Sequence, residues 1–513
     1  MLLTRRTPRG PLVARLASLA GLALIVPAVP ALAGTTAGAT APTGTALTQR
    51  AEGDATVSLW APQRYEASAY RGRAWTDLGL RLVAHGATFE LSSTRASYDE
   101  KITTVWKAPG GDVALPPGSM SSMGTLRQFL KLTFVPVKGG KTVTLVRGVC
   151  FAGWAERVDP AAAATSPYAQ WCSYNPFATG ARQGIQAGWA MPLLGNSDRP
   201  LRIEPGRYRV TAQIGARYAA AFGLTEAEST RTLTLVVKDE EQVEGPSPVG
   251  RTAPPSRDAQ PAAHAPTGPA GPAAEELPTT MPDLRSVPAW GIQMAENGNF
   301  LQFSATVWNG GDSPLVVDGF RREGEDEMDA YQYFFDAEGN QTGYRPVGDF
   351  HWDAKPTHQH WHFRDFASYT LLKADQTAIV KSRKEAFCLA NTDAVDTTVP
   401  SAVLNPENTD LSTSCGEYGS LSIREVLASG WGDTYAQFRA GQSFNLKGLP
   451  NGTYYIEVRA NPRGRLVEGS TDNNVALRKI VIGGKPGART VQVPKVGLVV
   501  EPSQGRPGGG EGR

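Results

Sequence analysis

Cysteine is nearly absent from this chain: Cys150, Cys172, Cys388 and Cys415 are the only four in 513 residues. No two of them stand in a C-x-x-C spacing, so thiolate ligation of a metal has no local signature. They fall into two pairs far apart along the chain. In an exported protein that reads as two local disulfides, Cys150–Cys172 and Cys388–Cys415. Charge excess is missing as well. Lys and Arg number 51 against 49 Asp and Glu, and loss of the four N-terminal arginines on processing would leave 47 against 49. A net charge of −2 gives no reason to expect nucleic acid or an anionic membrane as partner. Past the N-terminal region no apolar run is long enough to span a bilayer. Histidine is rare, six in all, which makes its distribution informative.

The N-terminus reads as an export leader. Arg5, Arg6, Arg9 and Arg15 precede an apolar run at 16–29, and Ala31-Leu32-Ala33 supplies a small-x-small cleavage signal. A signal peptide is therefore expected over 1–33, and Pro27 and Pro30 argue against a retained anchor. Residues 34–52 are small and polar and are expected to be disordered. From 241 to 280 nine prolines stand among Ala, Gly and Ser, the composition of a semi-extended linker. The end from 484 to 513 is expected as a flexible tail. Two folded units are left, about 53–240 and 281–483, each long enough for its own core.

Both units read as mainly β. In the first, residues 55–60, 142–146, 208–214 and 232–237 show alternation or β-branched content between Gly/Pro turns. In the second, Leu301, Phe303, Ala305 and Val307 alternate with Gln302, Ser304 and Thr306, and 454–459 behaves likewise. Pro205-Gly206-Arg207-Tyr208 and Pro450-Asn451-Gly452-Thr453-Tyr454 both lead into strands. This echo suggests two β-sandwich-like domains with similar turn-to-strand corners, joined by the proline-rich linker. Short helices are expected at 383–389 and 422–428.

Four of the six histidines, His351, His358, His360 and His362, lie within twelve residues. Neutral imidazole is a common ligand of copper, zinc and iron. On an extended strand His358, His360 and His362 share one face. A straight strand would set the outer two Cβ atoms about 13 Å apart, close to the reach of two imidazole arms, so a bend or bulge is expected there. Trp361, Phe363 and Phe366 mark the segment as folded and half-buried. A zinc hydrolase would need a placed general base such as the glutamate of His-Glu-x-x-His, and none is present.

The run His358-Gln359-His360-Trp361-His362, followed by Asp365-Phe366 and Tyr369-Thr370-Leu371-Leu372, resembles the copper-binding signature of the lysyl oxidase family. Lys384-Glu385-Ala386-Phe387-Cys388-Leu389 is similar to the segment bearing that family's cofactor lysine. Asp433-Thr434-Tyr435 is similar to the one bearing its cofactor tyrosine. Pro450 onward, through Asn461-Pro462 and Asp472-Asn473-Asn474, resembles the closing strands, so the likeness covers about 281–483. It implies copper held by His358, His360 and His362, and a lysine tyrosylquinone made from Lys384 and Tyr435. It also implies oxidation of primary amines, free or on lysine side chains, by molecular oxygen to aldehyde, ammonia and hydrogen peroxide. The proton-abstracting base is open between Asp433, on the face of Tyr435 if that segment is extended, and Asp365.

Taken alone, Lys384 is a solvated lysine in the basic cluster of Lys381, Arg383 and Lys384, and Tyr435 is a packed aromatic. The rival to an oxidase is a non-catalytic exported copper-binding or cell-surface module. Pro356-Thr357 precedes His358 where animal members of the family carry a cysteine. The N-terminal unit resembles nothing known; its tryptophans are expected to pack a core, with a glycan or peptide surface as the alternative. An acidic run, Glu323-Gly324-Glu325-Asp326-Glu327, could draw in cationic amines.

Overall fold

Alternating apolar side chains produce strands throughout the computed structural model, which describes residues 56–74, 76–194, 200–239, 268–354, 359–382, 386–407, 409–439 and 441–501. The expected leader, the polar stretch after it and residues 241–267 of the expected linker lie outside these, as do His358 and Lys384. Among the described residues the helices are two short ones, Ala216–Ala221 and Glu226–Ser229. Thr225 and Glu228 cap the second reciprocally. The mainly β reading holds.

In the N-terminal half, Gly206–Ile214 lies between Thr125–Pro136 and Thr230–Asp239, and Arg64–Tyr70 adds in parallel to the last. Tyr208, Val210, Ala212 and Ile214 turn to one side by the period of two and are buried. They meet Phe89, Phe129, Phe151 and Phe222 in a single core. A smaller sheet sets Phe89–Thr94 between Gly180–Ile185 and Thr103–Ala108.

Three sheets build the C-terminal half. The largest runs in the order Ala386–Phe387, His360–Arg364, Gln341–Asp353, Glu327–Phe335, Leu315–Arg321 and Ser422–Leu427. A second places Phe300–Asn309 beside Trp431–Tyr435, which pairs in turn with Asp393–Ala394. The third contains Ala367–Lys373, Gly452–Ala460 and Val475–Lys485, and ends with Ala488–Gln492, inside the stretch expected as tail. The two turn-to-strand corners do correspond. Tyr208 donates its hydroxyl to the carbonyl of Glu204 at 2.8 Å, and Tyr454 donates to that of Pro450 at 2.6 Å. Each is a tyrosine folding back over the start of its strand.

The helix expected at 422–428 is a strand instead. Ser422–Leu427 registers against Leu315–Arg321, and Thr413 Oγ1 accepts from the Val426 N–H at 2.9 Å. Strand pairing and burial outweigh a weak helical preference. At 383–389, residues 383–385 lie outside the described set, and Ala386–Phe387 is a strand edge. The last part of the expected linker is anchored: Ala274 donates its N–H to the Tyr344 carbonyl at 2.9 Å. Both expected disulfides are formed, Cys150–Cys172 and Cys388–Cys415. No helix among the described residues is long and apolar enough to cross a membrane.

Candidate metal and cofactor site

His360 and His362 sit on one face of a five-residue strand, His360–Arg364, paired with the end of Gln341–Asp353. The chain enters this strand through Gln359, whose φ of 47° lies in the left-handed region, sparsely used by residues other than glycine. Its N–H bonds the Asp353 carbonyl at 3.0 Å. The backbone therefore bends at Gln359, immediately before His360; His358 lies outside the described residues.

The Nε2 atoms of His360 and His362 are 2.8 Å apart. Two nitrogens each about 2.0 Å from one ion, at a right angle to each other, are separated by about 2.8 Å. The pair thus fits adjacent positions of a tetragonal copper ion as it stands, whereas a tetrahedral zinc ion would set the two nitrogens about 3.3 Å apart. His362 is buried, 1% exposed, and its Nδ1 lies 3.6 Å from Asp353 Oδ2. The carboxylate thus faces the ring nitrogen opposite the one that meets His360, at ion-pair rather than hydrogen-bond distance.

Across the sheet His351 registers with His362, the rings 5.8 Å apart. Arg364 Nε donates to His351 Nδ1 at 3.3 Å, which leaves that nitrogen acting as an acceptor. Arg364 is itself held by Asp349 at 2.7 Å and Glu327 at 3.1 Å. Sequence reading counted His351 in the cluster without a role and overlooked Asp353. The hairpin register that brings both beside His362 is the signal that would have found them.

Tyr435 ends the strand Trp431–Tyr435, opposite Ala305. Its hydroxyl accepts the Cys388 N–H at 3.0 Å, and its ring meets Phe387 edge-on at 4.8 Å. Phe387 registers with Phe363, the neighbour of His362. The tyrosine hydroxyl is thus fastened to the fourth residue after Lys384, on the strand edge that adjoins the histidines. Burial raises the Tyr435 hydroxyl well above the usual phenol range, and the charges of Asp433 and Glu425 raise it further, against the Cys388 N–H. Asp433 is 3% exposed, and its charge also bears on Tyr369 and Tyr174. It lies on the Tyr435 face of the strand, as alternation requires.

The Cys388 segment is secured from several sides. Glu425 accepts the Leu389 N–H at 2.8 Å, and Trp361 bonds the carbonyls of Cys415 at 3.0 Å and Glu417 at 2.9 Å. Cys388, Cys415 and Glu425 converge, but the disulfide occupies both sulfurs. Asp365, the other candidate base, is committed elsewhere: it pairs with Arg463 at 3.2 Å and Arg465 at 3.4 Å. The acidic run is largely neutralised. Arg322 pairs with Glu325, Glu327 and Asp329, and Arg321 with Asp326, so little of its field is left to steer amines.

Fold and site together define a β protein with a close histidine pair on one strand and a half-buried phenol bonded to the Cys388 backbone next to the strand edge that pairs with it. Residues 335–490 match the family model for lysyl oxidase, so this part of the chain is similar to that family. Lysyl oxidase homolog 2 of Gallus gallus is 25% identical over 195 residues, 37% of this chain and 22% of that protein. The chain thus spans about a fifth of the length of that curated relative.

Proposed function

We propose that the chain is a copper-dependent amine oxidase that converts primary amines, including peptidyl lysine, to aldehydes. One amine, one oxygen molecule and one water would give one aldehyde, one ammonia and one hydrogen peroxide. The observation that carries this reading is the attachment of the Tyr435 hydroxyl to the Cys388 backbone, between the Lys384 segment and the histidine strand. His360 and His362, with His358, would hold copper. A quinone formed from Tyr435 and Lys384 would supply the two-electron carbonyl sink that encoded side chains lack.

The chain's own groups have defined parts. Tyr435 is kept protonated by burial and by Asp433, so its hydroxyl rests neutral against the Cys388 N–H. Asp433 is the buried carboxylate on the same face and is assigned as acceptor of the substrate's α-proton. Phe387 packs edge-on against the phenol ring and Tyr369 packs edge-on against Phe387, which gives the phenol an apolar neighbour. Lys384 must be neutral to form a bond to the ring, which an apolar surrounding favours. Two disulfides and the leader-like N-terminus support an exported protein.

Aerobic copper loading followed by tryptic mapping tests the reading. The expected result is a covalently joined Lys384–Tyr435 peptide pair and peroxide release from primary amines, both abolished in Lys384→Ala and Tyr435→Phe. Unlinked peptides after full copper uptake would reject the oxidase and leave a copper-binding module.

A further inference from the structure

The strand bearing Asp433 and Tyr435 is backed by a loop from the N-terminal half of the chain. Cys172, tied to Cys150, opens this loop. Ser173 Oγ donates to the Ala394 carbonyl at 2.6 Å, Trp171 meets Trp431 edge-on at 5.9 Å, and Phe177 is fully buried among Val287, Trp290, Trp308 and Val395.

At its centre Asn175 is 3% exposed. The Phe177 N–H donates to its Oδ1 at 3.0 Å, which fixes the amide orientation and turns Nδ2 outward as a donor. Nδ2 reaches Thr306 Oγ1 at 2.9 Å, and Trp290 Nε1 approaches the same oxygen at 3.4 Å. With two donors aimed at it, the Thr306 hydroxyl must send its own hydrogen elsewhere. Thr434 Oγ1 lies 2.8 Å away, and Thr434 Oγ1 in turn lies 3.4 Å from Asp393 Oδ2, an acceptor when ionised. The bonds therefore run in one sense, from Asn175 through Thr306 and Thr434 to Asp393. Thr434 stands between Asp433 and Tyr435 and faces the opposite side of the strand.

We propose that Asn175 is a positioning residue for the amine-oxidising centre: through Thr306 and Thr434 it holds the backbone from which Asp433 and Tyr435 project. The N-terminal half is then part of the site and supplies the rear wall of its cofactor strand. Buried polar chains of this kind act as units, because loss of one donor leaves the next hydroxyl without a defined direction. This inference rests on the amine-oxidase reading of Tyr435 and Asp433.

Full-length protein without copper, with Asn175→Ala and Thr306→Val compared by hydrogen exchange, provides a readout that needs no turnover. Asn175→Ala is expected to speed exchange of peptides covering 431–435 about tenfold, the size of effect of one buried hydrogen bond. Peptides covering 315–321 and 341–353 should be unchanged. Thr306→Val, nearly isosteric, should reproduce the effect, and the double variant should add little. On copper loading, Lys384–Tyr435 cross-linking should slow and kcat should fall with KM unchanged.

Exchange at 431–435 equal to wild type, or raised evenly across the molecule, would overturn the proposal. So would an Asn175→Ala variant that cross-links at the wild-type rate. A wild-type chain that never cross-links would instead overturn the proposed function.

Discussion

Asp393 shows how one residue can tie this site to solution conditions. It is fully buried, and burial raises its carboxyl from 3.8 to about 7, opposed by Asn175, Thr434 and the Tyr174 N–H. In the unfolded chain the group releases its proton near the ordinary value; in the folded chain it keeps it until about 7. Between those limits the unfolded state binds fewer protons, so stability falls as pH rises through this window and levels off above it. Asp393→Asn should remove that component. Urea midpoints measured from pH 5 to 8 should decline in the wild type and run flatter in the variant. The histidines were legible as a candidate metal set because chemistry, spacing and rarity coincide in one short run. Asp393 carried no such mark, since its burial arises from pairing with Gly432.

Among the elements, the Cys388–Cys415 loop supplies the backbone N–H that bonds the Tyr435 hydroxyl. The disulfide closes 27 residues, and its two ends bond Tyr435 and Trp361 respectively. Chain-entropy arguments give such a cross-link about 3–4 kcal/mol. The Cys388→Ser/Cys415→Ser double variant should lose stability of that order in guanidinium unfolding. The Cys388 N–H would then be less firmly held, and cross-link yield should drop along with it. The pairing was readable from cysteine spacing in an exported chain. That the loop would brace a tyrosine 47 residues beyond Cys388 was not, because this depends on strand order. The same limit explains Ser422–Leu427, which has the composition of a short helix and the environment of an edge strand.

For the molecule as a whole, the described residues belong to one compact unit, Arg50–Arg513, in which the N-terminal loop engages the Asp393 strand. Gly180 marks the closest approach: a Cβ there would overlap the Asp396 carboxylate and the Thr398 hydroxyl. The Thr397 N–H bonds the Gly180 carbonyl at 3.1 Å, and the Thr179 N–H bonds that of Val395 at 2.9 Å. Gly180→Ala should therefore push the two halves apart. A loss of about 1–3 kcal/mol is expected, with increased protease cleavage near residues 171–182 as a second readout. A substitution tolerated at no cost would show that the contact yields easily.

Local patterning determined the strands, the disulfide pairs, the corner tyrosines and the histidine face, since each depends on side-chain period or on the chemistry of a few neighbouring residues. The resemblance of three ordered segments to a known family then supplied the proposal that Lys384 and Tyr435 pair. Tertiary structure alone decided that His351 and Asp353 stand beside His362, that Asp365 is spent on arginines, and that Asn175 braces the strand of Tyr435. These are contacts between strands distant in sequence. Their partners are chosen by sheet register and sheet packing, which no short window of residues specifies.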